Sequence, residues 1–151
     1  MKLAEALQER ADLNRKIEQL QDRLSNNVLV QEGEQTAEDP EKLKDELDSA
    51  ILRLAALIAQ INQTNCTTIV EGRTLTALIA RKDALSLKIR LYKEIASTAS
   101  QTTYRARNTE IKIKSTISVA DWQAEIDQMS KELRLLDNQL QQSNWNTDLI
   151  E

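Results

Sequence analysis

The sequence predicts a mainly α protein with four long antiparallel helices, forming a bundle or paired helical hairpins with coiled-coil-like seams, and short β segments in the linkers. Three observations predict it. The apolar inventory is 21 Leu, 16 Ala and 13 Ile against four Val, no Phe and 3% aromatic residues, the balance of long helices rather than sheets. Apolar residues recur at alternating spacings of three and four along four stretches of similar length. Gly33, Pro40 and Gly72 lie between those stretches, as do Val28, Val30 and Val70, so the breakers mark the linkers. A length of 151 residues fits a single helical domain over 1–151.

The first helix, about 2–24, carries a seam of Leu3, Ala6, Arg10, Leu13, Ile17, Leu20 and Leu24, with one charged member. The second, about 40–65, opens on Asp39 as N-cap with Pro40 in the first helical position, and its seam runs Leu43, Leu47, Ala50, Leu54, Leu57, Ile61. The third, about 74–98, repeats the pattern through Leu75, Leu78, Lys82, Leu85, Ile89, Tyr92 and Ala96. The fourth, about 119–142, opens with Ser118 and Asp121 in the spacing of a capping box and continues through Trp122, Ile126, Met129, Leu133, Leu136 and Leu140. Strand-like runs occupy the linkers at about 27–31, 67–71 and 110–117. Those at 27–31 and 110–114 are expected to pair as a small ribbon at one end of the helices.

Composition excludes much chemistry. Without any His the chain lacks the commonest general base and neutral metal ligand, and with one Cys it can build neither a thiolate zinc site nor an internal disulfide. That Cys66 follows the second helix, at the end whose dipole disfavours a thiolate, so a small packed side chain is expected there rather than a nucleophile. No catalytic residue, metal or cofactor is expected. The start of the chain runs straight into helical pattern without an apolar leader, no stretch has membrane-spanning length, and a cytoplasmic protein is expected.

Three groups of residues invite a binding role. Residues 49–61 include ten apolar side chains and wrap beyond the stripe one buried face needs, so Ile51, Leu52, Ala55, Ile58 and Ala59 are expected to form an oligomer contact. Arg10 and Lys82 each fall seven residues after the first leucine of their seam, with Asp137 roughly level with them on the fourth helix. The three could make a polar core layer. In the third linker Tyr104, Arg105, Arg107, Lys112 and Lys114 combine cations with an aromatic ring, as a phosphate or nucleic-acid contact requires. The net charge of −4 and the acidic first linker (Glu32, Glu34, Glu38, Asp39, Glu41) weigh against a broad nucleic-acid surface.

Four stretches form a fingerprint: Ile61-Asn62-Gln63-Thr64-Asn65, Gly72-Arg73-Thr74-Leu75-Thr76 through Arg81-Lys82-Asp83, Tyr104-Arg105-Ala106-Arg107 through Ile111-Lys112, and Asn144-Trp145-Asn146-Thr147-Asp148-Leu149. With them the chain resembles, over nearly its whole length, a family of small bacterial proteins often carried under the name septicolysin. The resemblance implies a helical coiled-coil protein and brings no activity with it. It draws attention to the helix junctions, where Trp145 is expected to pack against the second linker. The function expected is a non-enzymatic homo-oligomeric coiled-coil scaffold or interaction protein, whose partner is itself and not a membrane. The alternative is an RNA- or nucleotide-binding module using the basic linker 104–114. A membrane-active toxin, as the family name suggests, comes third.

Overall fold

The four apolar seams become the inner faces of four helices. In the computed structural model, which describes residues 1–102 and 111–151, these are α1 (Leu3–Ser25), α2 (Pro40–Thr67), α3 (Leu75–Ala99) and α4 (Val119–Asn146), with β1 (Ile69–Val70) and β2 (Arg73–Thr74) between α2 and α3. They run 23 to 28 residues, hence about 35 to 42 Å at the helical rise. Seam residues Leu3, Ala6, Leu20, Leu43, Ala50, Leu57, Ile61, Leu75, Leu78, Ile89, Ala96, Ile126, Met129, Leu136 and Leu140 are all buried.

The chain divides into two compact units: Met1–Thr74 with Gln142–Glu151, and Leu75–Gln141. The first is built on the α1–α2 hairpin. Its helix starts follow local chemistry: the Lys2 backbone N–H donates to the Glu5 carboxylate (2.7 Å), and the Glu41 N–H donates to Asp39 ahead of Pro40 (3.0 Å). Glu9 near the start of α1 reaches Arg53 in mid-α2, while Arg23 near the end of α1 reaches Glu38 just before α2, which fixes the pair as antiparallel. The C-terminal tail docks on the same unit. Leu3 N–H donates to the Thr147 carbonyl, Leu149 N–H to the Met1 carbonyl, both at 2.9 Å, and Lys2 pairs with Asp148 at 2.7 Å. The tail also reaches Thr64, a fully buried residue of α2 whose hydroxyl accepts from the Ile150 N–H at 3.0 Å and donates to the Gln60 carbonyl at 2.7 Å. These backbone bonds, rather than Trp145, anchor the tail: the indole side chain is 51% exposed.

The strands correct the expected ribbon. Residues 27–31 form no strand, residue 110 lies outside the described residues, and of 111–117 only Lys112 takes part in β pairing, as a single bridge residue. A strand needs a ladder partner, and the first linker instead closes on itself. The Asn27 side chain donates to the Arg23 carbonyl (2.7 Å) and accepts from the Glu38 N–H (2.9 Å), and the Arg23–Glu38 pair fastens the loop mouth. Val28, Leu29 and Val30 are left in solvent, Leu29 at 86% exposure. The one sheet among the described residues lies in the second linker, where β1 and β2 pair antiparallel with Ile69 opposite Thr74 and Val70 opposite Arg73. Two residues connect them, Glu71 and Gly72, both at positive φ (49° and 81°), the signature of the tight hairpin turn that matches strand twist.

The second unit is the α3–α4 hairpin. Ile89, Ala96, Ile126 and Met129 form its core, flanked by Leu85, Tyr92 and Leu133. Tyr92 and Trp122 meet with ring centroids 4.7 Å apart, and Lys88 lies over the Tyr92 ring. The Ser118 hydroxyl accepts from the Asp121 N–H at 3.2 Å, one half of the expected capping box.

Candidate interaction surface

The residues expected at an oligomer contact are all exposed. Turning its seam inward sends Ile51, Leu52, Ala55, Ile58 and Ala59 of α2 to the opposite side, and Leu52 stays 74% exposed. Their order (Ile51, Ala55, Ile58) repeats the four-three spacing of the inner seam, so α2 is apolar on two faces. Apart from Arg53, every charge of α2 precedes Ile51 in the chain. Arg53, the sole cation of α2 beyond Lys44, folds onto Glu9 of α1 through two hydrogen bonds of 2.7 and 2.8 Å. That bond holds the Glu9 carboxyl below its ordinary pKa. Lys44 is tied to Asp48 one turn before Ile51.

A second outer seam, unanticipated from the sequence, runs along α3. Ala80, Ala84, Leu87 and Leu91 follow one another at spacings of four, three and four, with Ile95 one turn on, and all are exposed. The signal is in the sequence, because the α3 seam of Leu75 to Ala96 leaves these apolar side chains unaccounted for. Exposed large side chains grouped at heptad spacing differ from scattered surface leucines, which are ordinary.

Lys82 and Asp137 do meet, at 2.5 Å, and this bond holds the Asp137 carboxyl below its ordinary pKa. They do not make a core layer. Their side chains are 35% and 41% exposed, and Arg10 lies in the other unit, half-buried and without an ion pair among the described residues. The long lysine stem carries its charge to a wet edge, which avoids the desolvation a buried layer would cost. Of the basic linker, Tyr104, Arg105 and Arg107 lie outside the described residues. Lys112 and Lys114 are exposed, and Lys114 borders an open cleft of about 510 Å³ with Glu94, Ile95 and Ile117. Cys66 sits exposed in the last turn of α2. Among the described residues no group of three metal-ligating side chains comes together, and no helix is long and apolar enough to cross a membrane.

The helical class defined by this geometry has a counterpart among known proteins. The chain belongs to the Family of unknown function (DUF6847), whose model matches residues 10–149. It is similar to a functionally unknown conserved protein from Corynebacterium diphtheriae whose crystal structure is solved, at 36% identity over 99% of both chains and a TM-score of 0.92. No curated protein matches it.

Proposed function

We propose that the protein is a non-enzymatic, cytoplasmic, homo-oligomeric helical scaffold or interaction protein. One observation carries the reading: the outer face of α2 presents Ile51, Leu52, Ala55, Ile58 and Ala59 together, without a charge among them. An apolar face of this extent is stabilised by a partner helix, and its regular spacing suits another helix rather than a small ligand. Self-association links stability to protein concentration. The thermal midpoint is expected to rise as the protein is concentrated, and a midpoint independent of concentration contradicts the proposal.

A second reading, RNA or nucleotide binding through Tyr104, Arg105, Arg107, Lys112 and Lys114, is favoured by Lys112 and Lys114 being exposed with no ion pair among the described residues. It predicts nucleic acid that co-purifies and is released steeply as salt rises. A protein-like absorbance ratio at low salt eliminates it.

A further inference from the structure

Resting on the self-association reading, we propose that the occupant of the α2 outer face is the same face of a second copy, laid antiparallel about a twofold axis at Ala55. The contact is made by one helix, which lies whole within one compact unit. Arg53 reaches Glu9 of α1, and Ala55, two residues on, points about 160° away from it around the helix. The outer face is therefore turned from the helix that α2 already packs against. Ile51, Leu52, Ala55, Ile58 and Ala59 span about 120° of the helix surface, with Ala55 at the middle.

Self-complementarity is the first reason. Turned end for end about Ala55, the steps of four and three residues back to Ile51 and Leu52 become those forward to Ala59 and Ile58. Antiparallel pairing at this point sets Ile51 of one copy over Ala59 of the other, Leu52 beside Ile58, and Ala55 against itself. The large Ile51 finds a hole at Ala59, and alanine at the axis lets the helices close to about 8 Å, the short end of helix packing distances. A register moved by one heptad loses this match. One shift brings Lys44 and Asp48 over Ala59 and Ala55, and the other brings Asn62 over Ala55, so polar groups enter the apolar centre.

Charge selects the antiparallel direction. Residues 54–67 of α2 carry no charge, and Asp48 and Lys44, tied to each other at 2.8 Å, stand in line with the outer face one and two turns ahead of Leu52. Antiparallel pairing lays the uncharged end of the second copy over them, with Asn62 level with Asp48 and Cys66 level with Lys44. The Asp48 carboxylate can then accept from the Asn62 amide as well as from Lys44. Parallel pairing instead sets Asp48 against Asp48 and Lys44 against Lys44, and aligns the two helix dipoles. The twofold axis uses the face on both copies and leaves none to propagate a filament.

The test is cross-linking on the full chain in a Cys66→Ser background, with Ala55→Cys, Ile51→Cys and Ala59→Cys made singly and the last two also co-expressed. Each sample is treated with a short bis-maleimide while light scattering reports the mass. Ala55→Cys, on the axis, is expected to give covalent dimer by itself. Ile51→Cys and Ala59→Cys each lie about 12 Å along the helix from their own counterpart, so co-expression is expected to raise their yield several-fold over either alone. Leu52→Cys with Ile58→Cys is a second facing pair with the same expectation. Ile51→Cys alone cross-linking as well as the mixture reports parallel helices and overturns the proposal. A dimer by mass in which Ala55→Cys gives no covalent dimer overturns it too; in both cases self-association stands. A monomer by mass overturns the self-association reading itself.

Discussion

At the scale of single residues, Thr64 has the most demanding position. Fully buried, its hydroxyl closes two bonds, one within α2 and one to the Ile150 N–H of the tail. Thr64→Val keeps the shape and removes both, leaving the Ile150 N–H without its partner. A loss of about 1–3 kcal/mol is expected in urea unfolding at unchanged m-value, and Thr64→Ser recovers part of it. The carboxylates give a pH signature. Arg53, Lys82 and Lys2 hold Glu9, Asp137 and Asp148 below their ordinary pKa values. A carboxyl whose folded pKa is depressed contributes stability that is fully present above its unfolded value, about 4, and is lost as pH falls through the folded value. Urea midpoints are therefore expected to fall on acidification below about pH 4, and less steeply in Glu9→Gln and Asp137→Asn. Equal slopes in all three proteins contradict that assignment. The Lys82–Asp137 pair was legible from seam register alone, since both lie at counted positions on neighbouring helices. Glu9–Arg53 was not, because each looks like a surface charge until the α1–α2 register is known.

At the scale of elements, helices were read well and linkers unevenly, the run at 67–71 holding β1 and that at 27–31 no strand, for one physical reason. A helix bonds to itself, so its period and caps are written locally: Asp39-Pro40 starts α2 and Ser118 starts α4. The second and fourth helices nonetheless run further than the periodicity suggested, to Thr67 and Asn146, because periodic apolar residues stop before the backbone bonding does. A strand depends on a partner elsewhere, and the apolar run at 27–31 has none. Loss of the Asn27 clasp in Asn27→Ala is expected to cost about 1–2 kcal/mol. Val28→Ser and Leu29→Ser, in solvent, should stay within about 0.5 kcal/mol of the parent in the same melts. If these two cost more than Asn27→Ala, the loop packs through its apolar side chains after all. The β1–β2 turn supplies a matched pair of substitutions. Gly72→Ala forces a Cβ into the left-handed region and is expected to destabilise by about 1 kcal/mol, whereas Glu71→Asn, a residue that tolerates positive φ, should raise the thermal midpoint.

At the scale of the whole molecule, a chain without His was excluded from imidazole chemistry at the outset, and its aliphatic bias leads to surfaces instead. Each helix needs one apolar face to fold. α2 and α3 each carry two. The α2 face was legible because ten apolar residues crowd into 49–61; the α3 face was missed because Arg81, Asp83, Lys88 and Arg90 interleave its seam. The most direct measurement is the molar mass by light scattering at micromolar concentration, for the parent and for Leu52→Lys with Ile58→Lys. The parent is expected above the 17.2 kDa of one chain, and the variant at that mass with its helical circular dichroism intact. A parent that runs as a monomer contradicts self-association through α2. So does a folded variant that retains the parent's mass.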